Sequence, residues 1–317
     1  MKITLHIITV FSLLIISCAS PGHDDFVPLF NGQDLSGWNL QKPADSSPLS
    51  PGFEVIDGEL VTRSSGSGND IYTEKSYSNF ILQLEFLLSD VGNSGIFIRR
   101  DPSRPGTGFE VQLLAPWTPW RDDLHCTGSM YGHVAVSNRP DETTGKWYKM
   151  EIKCDRNIVT VSVNDQITTM ADIDTVKTME GMPFTGYIGL QGNHAEREGQ
   201  FAKFRNILIK DLDADPDYVI RGFSNNNWEL RYISRLAASH LGAVMISPLA
   251  EMMSNGDPME KSEAKQALFD IAAKASDPNT PAGEKKKVIS AFKESIKTSA
   301  SEITKEYLIW IAGMISR

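Results

Sequence analysis

The sequence predicts a mainly β protein, in which an antiparallel β-sandwich is followed by a small all-α domain. From Phe26 to about Leu212, short alternating apolar runs are separated by clusters of Gly, Asn, Asp, Ser and Pro, the pattern of an antiparallel sandwich. After Asp211 the composition shifts to Ala, Leu, Met, Lys and Glu at helical spacing. The 317 residues are enough for two such domains.

Individual strands of the sandwich, taken as residues 26–212, are predicted from period-two alternation and turn residues. The Asp57-Gly58 pair stands between the arms FEVI and ELVT and suits the positive φ angles of a tight hairpin turn. Phe80 to Leu88 and Tyr148 to Cys154 alternate apolar and polar side chains, which predicts one face in the core and one outside. The arm IVTVSV then ends at Asn164-Asp165, a second predicted turn.

The helical domain is predicted over residues 213–317, after an acidic, proline-ended linker from Asp213 to Pro216. Its segments ALFDIAAKAS and YLIWIAGMIS look like HEAT-type repeats, which usually present a surface to a protein partner. A compact bundle that merely packs on the sandwich is equally compatible with the pattern. The predicted helices are Trp228–Met253, Ser262–Ala275, Glu284–Thr298 and Ile303–Ile315.

The first residues predict export and lipidation. Residues 1–18 begin with Met1-Lys2, continue with an apolar run too short to span a bilayer stably, and end at a lipobox with Cys18. Acyl chains on Cys18 would hold the mature protein at a membrane through the tether of residues 19–25. Since no inner-membrane-retaining Asp follows Cys18, we expect the outer membrane, on its periplasmic or surface side.

The net charge, the cysteines and the absence of certain motifs from the sequence disfavour several classes of function. The net charge of −9 disfavours a nucleic-acid partner, because phosphate contacts need a basic surface, and it is compatible with a neutral ligand such as a sugar. No CxxC pair, phosphate-binding glycine loop or HExxH zinc motif occurs in the sequence. Cys126 and Cys154 either form a disulfide or remain two buried thiols.

Four ordered stretches resemble the 3-keto-disaccharide hydrolase family: FVPLFNGQDLSGW from Phe26, NFILQLEFLLSDVGNSGIFIRR from Asn79, GFEVQLL from Gly108, and GYIGLQGNH followed by FRNILIKDL. They span nearly the whole first domain. The resemblance implies a concanavalin-A-like jelly-roll sandwich, in which one curved sheet offers a polar groove to carbohydrate. It also implies cleavage of 3-keto-glycosides: a ketone at C3 acidifies the C2 proton, a base removes it, the C1 substituent is expelled, and hydration completes a net hydrolysis.

Side chains two residues apart on a strand share a face, so Gln83 with Glu85, Glu110 with Gln112, and Phe97 with Arg99 form pairs. A solvated outer face or an ion pair is the simpler interpretation for Glu85 or Glu110 alone. Within the family motifs, we expect them to line a groove together with Arg99. Gln191, which shares a face with Tyr187 on the closing strand, is a further predicted sugar-binding residue.

The implied chemistry needs a base, an anion stabiliser and a leaving-group acid. The candidates for base or metal ligand are Glu85, Glu110 and His194, with Glu110 and His194 the predicted ligands of a divalent ion that would polarise the ketone. Arg99 would offset the enediolate charge, and Tyr131 would protonate the leaving oxygen or bind the sugar.

Trp117 and Trp120, in the loop sequence APWTPW, either stack on sugar faces or plug an end of the sandwich. We expect ligand contact, because large rings in a proline-marked loop need a reason to be exposed.

Three alternative functions remain open. A non-catalytic carbohydrate-binding lipoprotein is favoured by Ala115, where the family commonly has Asp. An ordinary glycoside hydrolase would require a carboxylate pair roughly 5–9.5 Å apart. A scaffold would use the helical domain to recruit a partner, such as the oxidoreductase that makes 3-keto sugars.

Overall fold

The computed structural model describes residues 26–40, 52–62, 70–192 and 199–315. Its strands are β1 Val27–Pro28, β2 Trp38–Leu40, β3 Phe53–Ile56, β4 Glu59–Thr62, β5 Ile71–Thr73, β6 Phe80–Leu88, β7 Asn93–Arg100, β8 Phe109–Leu114, β9 Tyr148–Asp155, β10 Ile158–Val163, β11 Gln166–Asp172, β12 Tyr187–Leu190 and β13 Ala202–Asp211. The α-helices are α1 Pro216–Gly222, α2 Trp228–Leu241, α3 Ile246–Asn255, α4 Pro258–Ser276, α5 Ala282–Thr298 and α6 Glu302–Ile315.

Two antiparallel sheets pack face to face, as the sequence predicts. Sheet I has the order β11-β10-β9-β6-β13-β4-β3, with β1 paired to β13 as its eighth strand. Sheet II has the order β2-β5-β12-β7-β8. The predicted alternation of β6 is confirmed, because Phe80, Leu82 and Leu84 lie in the hydrophobic core between the sheets.

The two predicted hairpin turns are also confirmed. Asp57 and Gly58 connect β3 to β4 with φ angles of 52° and 81°. Asn164 and Asp165 connect β10 to β11 with φ angles of 49° and 63°. Positive φ at both central residues gives the turn a twist that matches the twist of the paired strands, and Asn, Asp and Gly tolerate that conformation.

The predicted helix Trp228–Met253 is wrong as a single element. Helix α2 ends at Leu241, and Gly242 follows with a φ of 65° before a 3₁₀ turn leads into α3. Among the described residues, the stretch Trp228–Asn255 is long and apolar enough to cross a membrane by length and composition only. In the structure this stretch is two helices, and both of them contact α4.

The predicted linker from Asp213 to Pro216 is an ordered junction. Asp215 accepts a hydrogen bond from the N–H of Asp217 and Pro216 takes the first position of α1, so these two residues begin a helix. Tyr218 then donates a hydrogen bond to Asp155 of β9 (2.8 Å). Two apolar residues of α2, Leu230 and Ile233, complete the core of the sandwich.

Helix α2 also contacts the loop after β11, where Asn227 donates a hydrogen bond to Asp174 (3.3 Å). The helices therefore cover the end of the sandwich where β6 begins and β13 ends.

Cys126 and Cys154 are both buried and unpaired. Of the two predicted alternatives, a disulfide or two buried thiols, the structure therefore shows the buried thiols. Burial raises the pKa of the Cys154 thiol to about 11, which keeps it protonated. The predicted signal and tether of residues 1–25, with Cys18, lie outside the described residues, as does His194.

Candidate functional site

The face of sheet II that points away from the hydrophobic core, called the outer face here, carries one row of large side chains. The strand register places Tyr72 beside Gly189, Gly189 beside Phe97, and Phe97 beside Glu110. Their chain neighbours Ile71, Ile188, Ile96 and Val111 all belong to the core. Because side chains alternate along a strand, the row itself must point outward.

Two glycines make room for this row. A Cβ atom on Gly189 would overlap the ring of Tyr72, and a Cβ atom on Gly95 would overlap the carboxyl group of Glu110. Tyr72 therefore lies across β12 and stacks on Phe97, with ring centroids 5.7 Å apart and planes 13° apart. The strands fold locally around glycine because any side chain there would displace the tyrosine or the carboxylate.

The carboxyl group of Glu110 is buried on the outer face and its pKa is shifted upward. Within the described part of the chain its Oε1 atom is buried and has no hydrogen-bond partner. Burial raises the pKa of Glu110 to about 7; the positive charge of Arg100 opposes this shift, and the negative charge of Asp70 adds to it. A carboxyl group with that pKa can release and accept a proton near neutral pH.

Another unpaired polar atom lies on the same face. Among the described residues, Gln191 Oε1 is also buried without a hydrogen-bond partner, and Tyr72 Oη is buried beside the guanidinium group of Arg100. Burial raises the pKa of Tyr72, so its hydroxyl remains protonated and able to donate. Buried polar atoms are nearly always paired in proteins, and two unpaired oxygen atoms on one face indicate a site for a polar ligand.

Arg100 supplies the positive charge of this site. The carbon at the centre of its guanidinium group lies 4.0 Å from the centroid of the Phe97 ring, so the cation rests on the aromatic row. Its charge lowers the pKa values of both Glu110 and Tyr72, against the larger effect of burial on each.

Tyr131 extends the row beyond β8. Its backbone N–H donates to the carbonyl of Glu110 (2.9 Å), and the neighbouring pair Met130 and Val111 faces the core, so Tyr131 points outward beside Glu110. The ring of His125 packs edge-on against Tyr131 with centroids 4.8 Å apart, and Trp120, 46% exposed, packs edge-on against His125. These three rings form one rim of the outer face.

The remaining predicted sugar-binding residues differ in placement. Gln112 lies on the outer face, but it is buried and donates to Asn93 (3.1 Å), so it supports the floor of the site. Trp117 packs against the hydrophobic core, which matches the alternative in which it plugs the sandwich. Trp120 remains exposed at the rim. Ala115 belongs to the core, so this departure from the family pattern does not alter the outer face.

The prediction that Arg99 shares a groove with Glu110 is wrong. Arg99 is 1% exposed, and it donates to the backbone carbonyls of Ser78 (2.6 and 3.0 Å) and Arg156 (2.9 Å) at the end of the sandwich. Strand β7 contains a β-bulge, in which Ile98 and Arg99 together face Ile188, and Arg99 adopts a φ of 52°. The bulge reverses the alternation, so Arg100 takes the outward place expected for Arg99.

The placement predicted for Glu85 and Gln83 is also wrong. Both residues lie on β6, in sheet I, and face away from the core on the opposite side of the sandwich from Glu110. Glu85 accepts hydrogen bonds from Arg205 (2.7 Å) and Asn206 (2.8 Å), and Gln83 donates to Glu151 (2.8 Å). The ion pair on the solvent side of sheet I matches the simpler interpretation of Glu85.

The described residues do not by themselves form the predicted metal site. No group of three or more His, Cys, Asp or Glu side chains in the described ranges can hold a metal ion. The carboxylate near Glu110 is that of Asp70, and the guanidinium of Arg100 acts on the same carboxyl group. A neighbouring positive charge disfavours a cation, so we assign no step of the chemistry to a metal.

Sequence reasoning missed Tyr72, Arg100 and Asp70. Tyr72 lies on the three-residue strand β5, which is too short for a periodic pattern. Asp70 comes directly before that strand and accepts a hydrogen bond from the N–H of Gly192 (2.8 Å). The glycines of the NSGIF and YIGLQG motifs could have indicated this part of the site, because a glycine inside a strand often marks the close approach of another group.

The family model of the 3-keto-alpha-glucoside-1,2-lyase-like domain matches residues 25–210. The chain belongs to this family. The match covers the whole sandwich and ends before the first helix, and it confirms the predicted resemblance. Membership supports a carbohydrate-active function of the glycosidase type.

Several solved structures are similar to the sandwich. A candidate glycosyl hydrolase of Parabacteroides distasonis ATCC 8503 is 25% identical with a TM-score of 0.50, covering 60% of this chain and 100% of that one. A second structure from that organism, also a candidate glycosyl hydrolase, is 24% identical with a TM-score of 0.48, covering 59% and 94%. The carbohydrate binding module CBM66 of Bacillus subtilis is 15% identical with a TM-score of 0.39, covering 56% and 97%. No curated protein matches the chain.

Proposed function

We propose that the protein cleaves 3-keto-glycosides on the outer face of sheet II, by eliminating the C1 substituent and hydrating the product. The observation that carries the proposal is the carboxyl group of Glu110, which is buried, unpaired at Oε1 and shifted to a pKa of about 7. It lies in one row with Tyr72 and Tyr131 and within the field of Arg100. Family membership supplies the substrate class.

In the first step the Glu110 carboxylate removes the proton from C2 of the sugar. The electron pair of the C2–H bond forms a C2=C3 double bond, and the ketone oxygen becomes an enediolate oxygen. The hydroxyl of Tyr72 donates to that oxygen and the guanidinium of Arg100 offsets its charge. Both groups are held in place before reaction by stacking on or near Phe97, so they need little reorganisation.

In the second step the ketone re-forms, a C1=C2 double bond appears, and the bond from C1 to the leaving oxygen breaks. That oxygen takes a proton from Tyr131, whose ring is fixed against His125. The Tyr131 phenolate then takes a proton from water as the hydroxyl group adds to C1, and protonated Glu110 returns a proton to C2, so both residues are restored and the sum of the steps is hydrolysis.

The cellular setting is part of the proposal. Lipidation at Cys18 would place the sandwich at the cell envelope, most simply at the outer membrane, where sugars from outside the cell are met first. The Lys2-led apolar segment and the lipobox support this placement.

An ordinary glycosidase is the second candidate, because Asp70 and Glu110 are two carboxylates within electrostatic reach of each other. The two reactions differ in the substrate they need: elimination requires the C3 ketone, and an ordinary glycosidase does not. Purified protein assayed with matched 3-keto and parent disaccharides decides between them. If the protein turns over neither the 3-keto disaccharide nor the parent disaccharide, the result would favour a carbohydrate-binding lipoprotein.

A further inference from the structure

The helical region contains a cleft between α2, α4 and α6 with a volume of about 640 Å³. This volume falls within the roughly 300–1,000 Å³ typical of small-molecule sites. The cleft lies in the helices, beyond the residues matched by the family model, so the proposed chemistry of the sandwich does not account for it. Its two walls differ in chemistry.

One wall is aromatic. Trp310 of α6 is 57% exposed, and its ring lies between Phe269, at 6.3 Å between centroids, and Tyr307, at 5.7 Å. The hydroxyl of Tyr307 donates to the carbonyl of Lys265 (2.8 Å), which fixes that ring. An exposed tryptophan held between two other rings is a rigid flat platform, and its exposure is costly unless something covers it.

The cleft is also lined by polar side chains that are held by hydrogen bonds. Glu263 of α4 accepts hydrogen bonds from Arg235 (3.0 Å) and Arg231 (3.1 Å), both on α2. One turn further along α4, Gln266 donates to Asp270 (2.8 Å). These planar side chains are spaced so that they share one face of α4, and their mutual hydrogen bonds hold them in position.

We propose that this cleft binds a neutral oligosaccharide, as a second sugar site separate from the outer face of sheet II. A pyranose ring presents an apolar face of C–H groups and a rim of hydroxyl groups, which matches one aromatic wall and one wall of planar polar side chains. The charge of Arg235 is balanced by Glu263 and Asp270, and the ammonium group of Lys265 lies 5.1 Å from the centroid of the Tyr307 ring, so both cations of the cleft already have partners, which favours a neutral ligand. Burying these partly exposed ion pairs in a lipid surface would be unfavourable.

The test uses the full chain carrying Glu110→Gln, so that no ligand is consumed, and measures binding of maltoheptaose and cellohexaose by calorimetry. The choice of glucose oligosaccharides rests on the proposed function. We expect Trp310→Ala to weaken binding of at least one of them by roughly tenfold or more, the scale of losing one aromatic anchor. Trp310→Phe should retain most of the affinity, and Gln266→Ala should lower it.

Trp228→Ala is the matched control, because Trp228 is 68% exposed on α2 and does not line the cleft. The same melting temperature in all variants shows that they are folded. Absence of binding, binding unchanged in Trp310→Ala, or an equal loss in Trp228→Ala would each overturn the proposal. Turnover of a 3-keto-disaccharide, measured separately with Glu110 intact, reports on the sandwich alone and should be unaffected by Trp310→Ala.

Discussion

Replacing Glu110 with Gln removes a buried negative charge while keeping the shape of the side chain, and the structure predicts opposite effects on stability and on turnover. Burial raises the pKa of Glu110 to about 7 in the folded protein. Unfolding returns it to an ordinary value near 4.3, and a difference of this size corresponds to roughly 4 kcal/mol.

The sign of the stability effect follows from proton binding. Between about pH 4.3 and pH 7 the folded protein keeps a proton on Glu110 that the unfolded chain releases, so stability falls as the pH rises through this range. Glu110→Gln lacks this penalty. We expect the variant to be more stable than the parent by up to roughly 4 kcal/mol at pH 8, and the difference to disappear below about pH 4.

Turnover should change in the other direction. With the base removed, Glu110→Gln should lose at least roughly a hundredfold in rate, the scale of one positioned acid or base. In the parent, kcat/KM should rise through about pH 7 as Glu110 ionises. The assays are urea unfolding at pH 4, 6 and 8, and turnover of a 3-keto-disaccharide across the same range.

Glu85→Gln is the matched control, since Glu85 is a carboxylate in the other sheet whose partners are Arg205 and Asn206. It should leave turnover near that of the parent, and losing a partly exposed ion pair should cost about 1 kcal/mol or less. Parent-like turnover in Glu110→Gln, or an equal loss in Glu85→Gln, would refute the assignment of the base.

Three further predictions follow from the site and the chain start. Arg99→Met should destabilise the fold by roughly 2–4 kcal/mol in urea unfolding, because a fully buried side chain is changed and two partly buried carbonyls lose their donor; Arg100→Met should instead keep the unfolding midpoint and lose roughly a hundredfold in turnover. Gly95→Ala should fold but lose turnover on a similar scale, because the new methyl group displaces the Glu110 carboxyl; parent-like kinetics would contradict that contact. Cys18→Ser should move the protein from the membrane to the soluble fraction, and unchanged fractionation would remove the lipobox interpretation.

The sandwich was predictable because local and tertiary preferences agree along its strands. Phe80 to Leu88 alternates without interruption, and its apolar half faces the core as expected. The turns at Asp57-Gly58 and Asn164-Asp165 were predictable because only a few residue types accept positive φ without strain. The family motifs add the sheet pairing, which local patterns do not contain.

The site was only partly predictable, because one β-bulge changes which residue faces outward. Period-two reasoning pairs Phe97 with Arg99, and it assumes a regular strand. The extra residue in β7 sends Arg99 into the sandwich and brings Arg100 onto the Phe97 ring. Nothing in the dipeptide Arg99-Arg100 distinguishes the two residues, since only the pairing with β12 sets the bulge.

The sequence also does not show which of the two sheets each strand joins. Glu85 and Glu110 both stand on polar faces of alternating strands, yet their strands belong to different sheets and the two carboxylates point to opposite sides. A strand's own sequence specifies that one face is buried; it does not specify which sheet the strand joins. The break at Gly242 has a similar origin, because an isolated glycine inside a helical pattern either ends a helix or is tolerated.

The most direct measurement of the central claim is proton NMR in D₂O of a matched pair of substrates, a disaccharide and its 3-keto derivative, incubated with the purified protein. The proposed elimination and hydration predict that only the 3-keto derivative is cleaved and that its product carries deuterium at C2, with both signals lost in Glu110→Gln. Cleavage of the two disaccharides at equal rates, without deuterium at C2, would contradict the proposed reaction and point to an ordinary glycosidase.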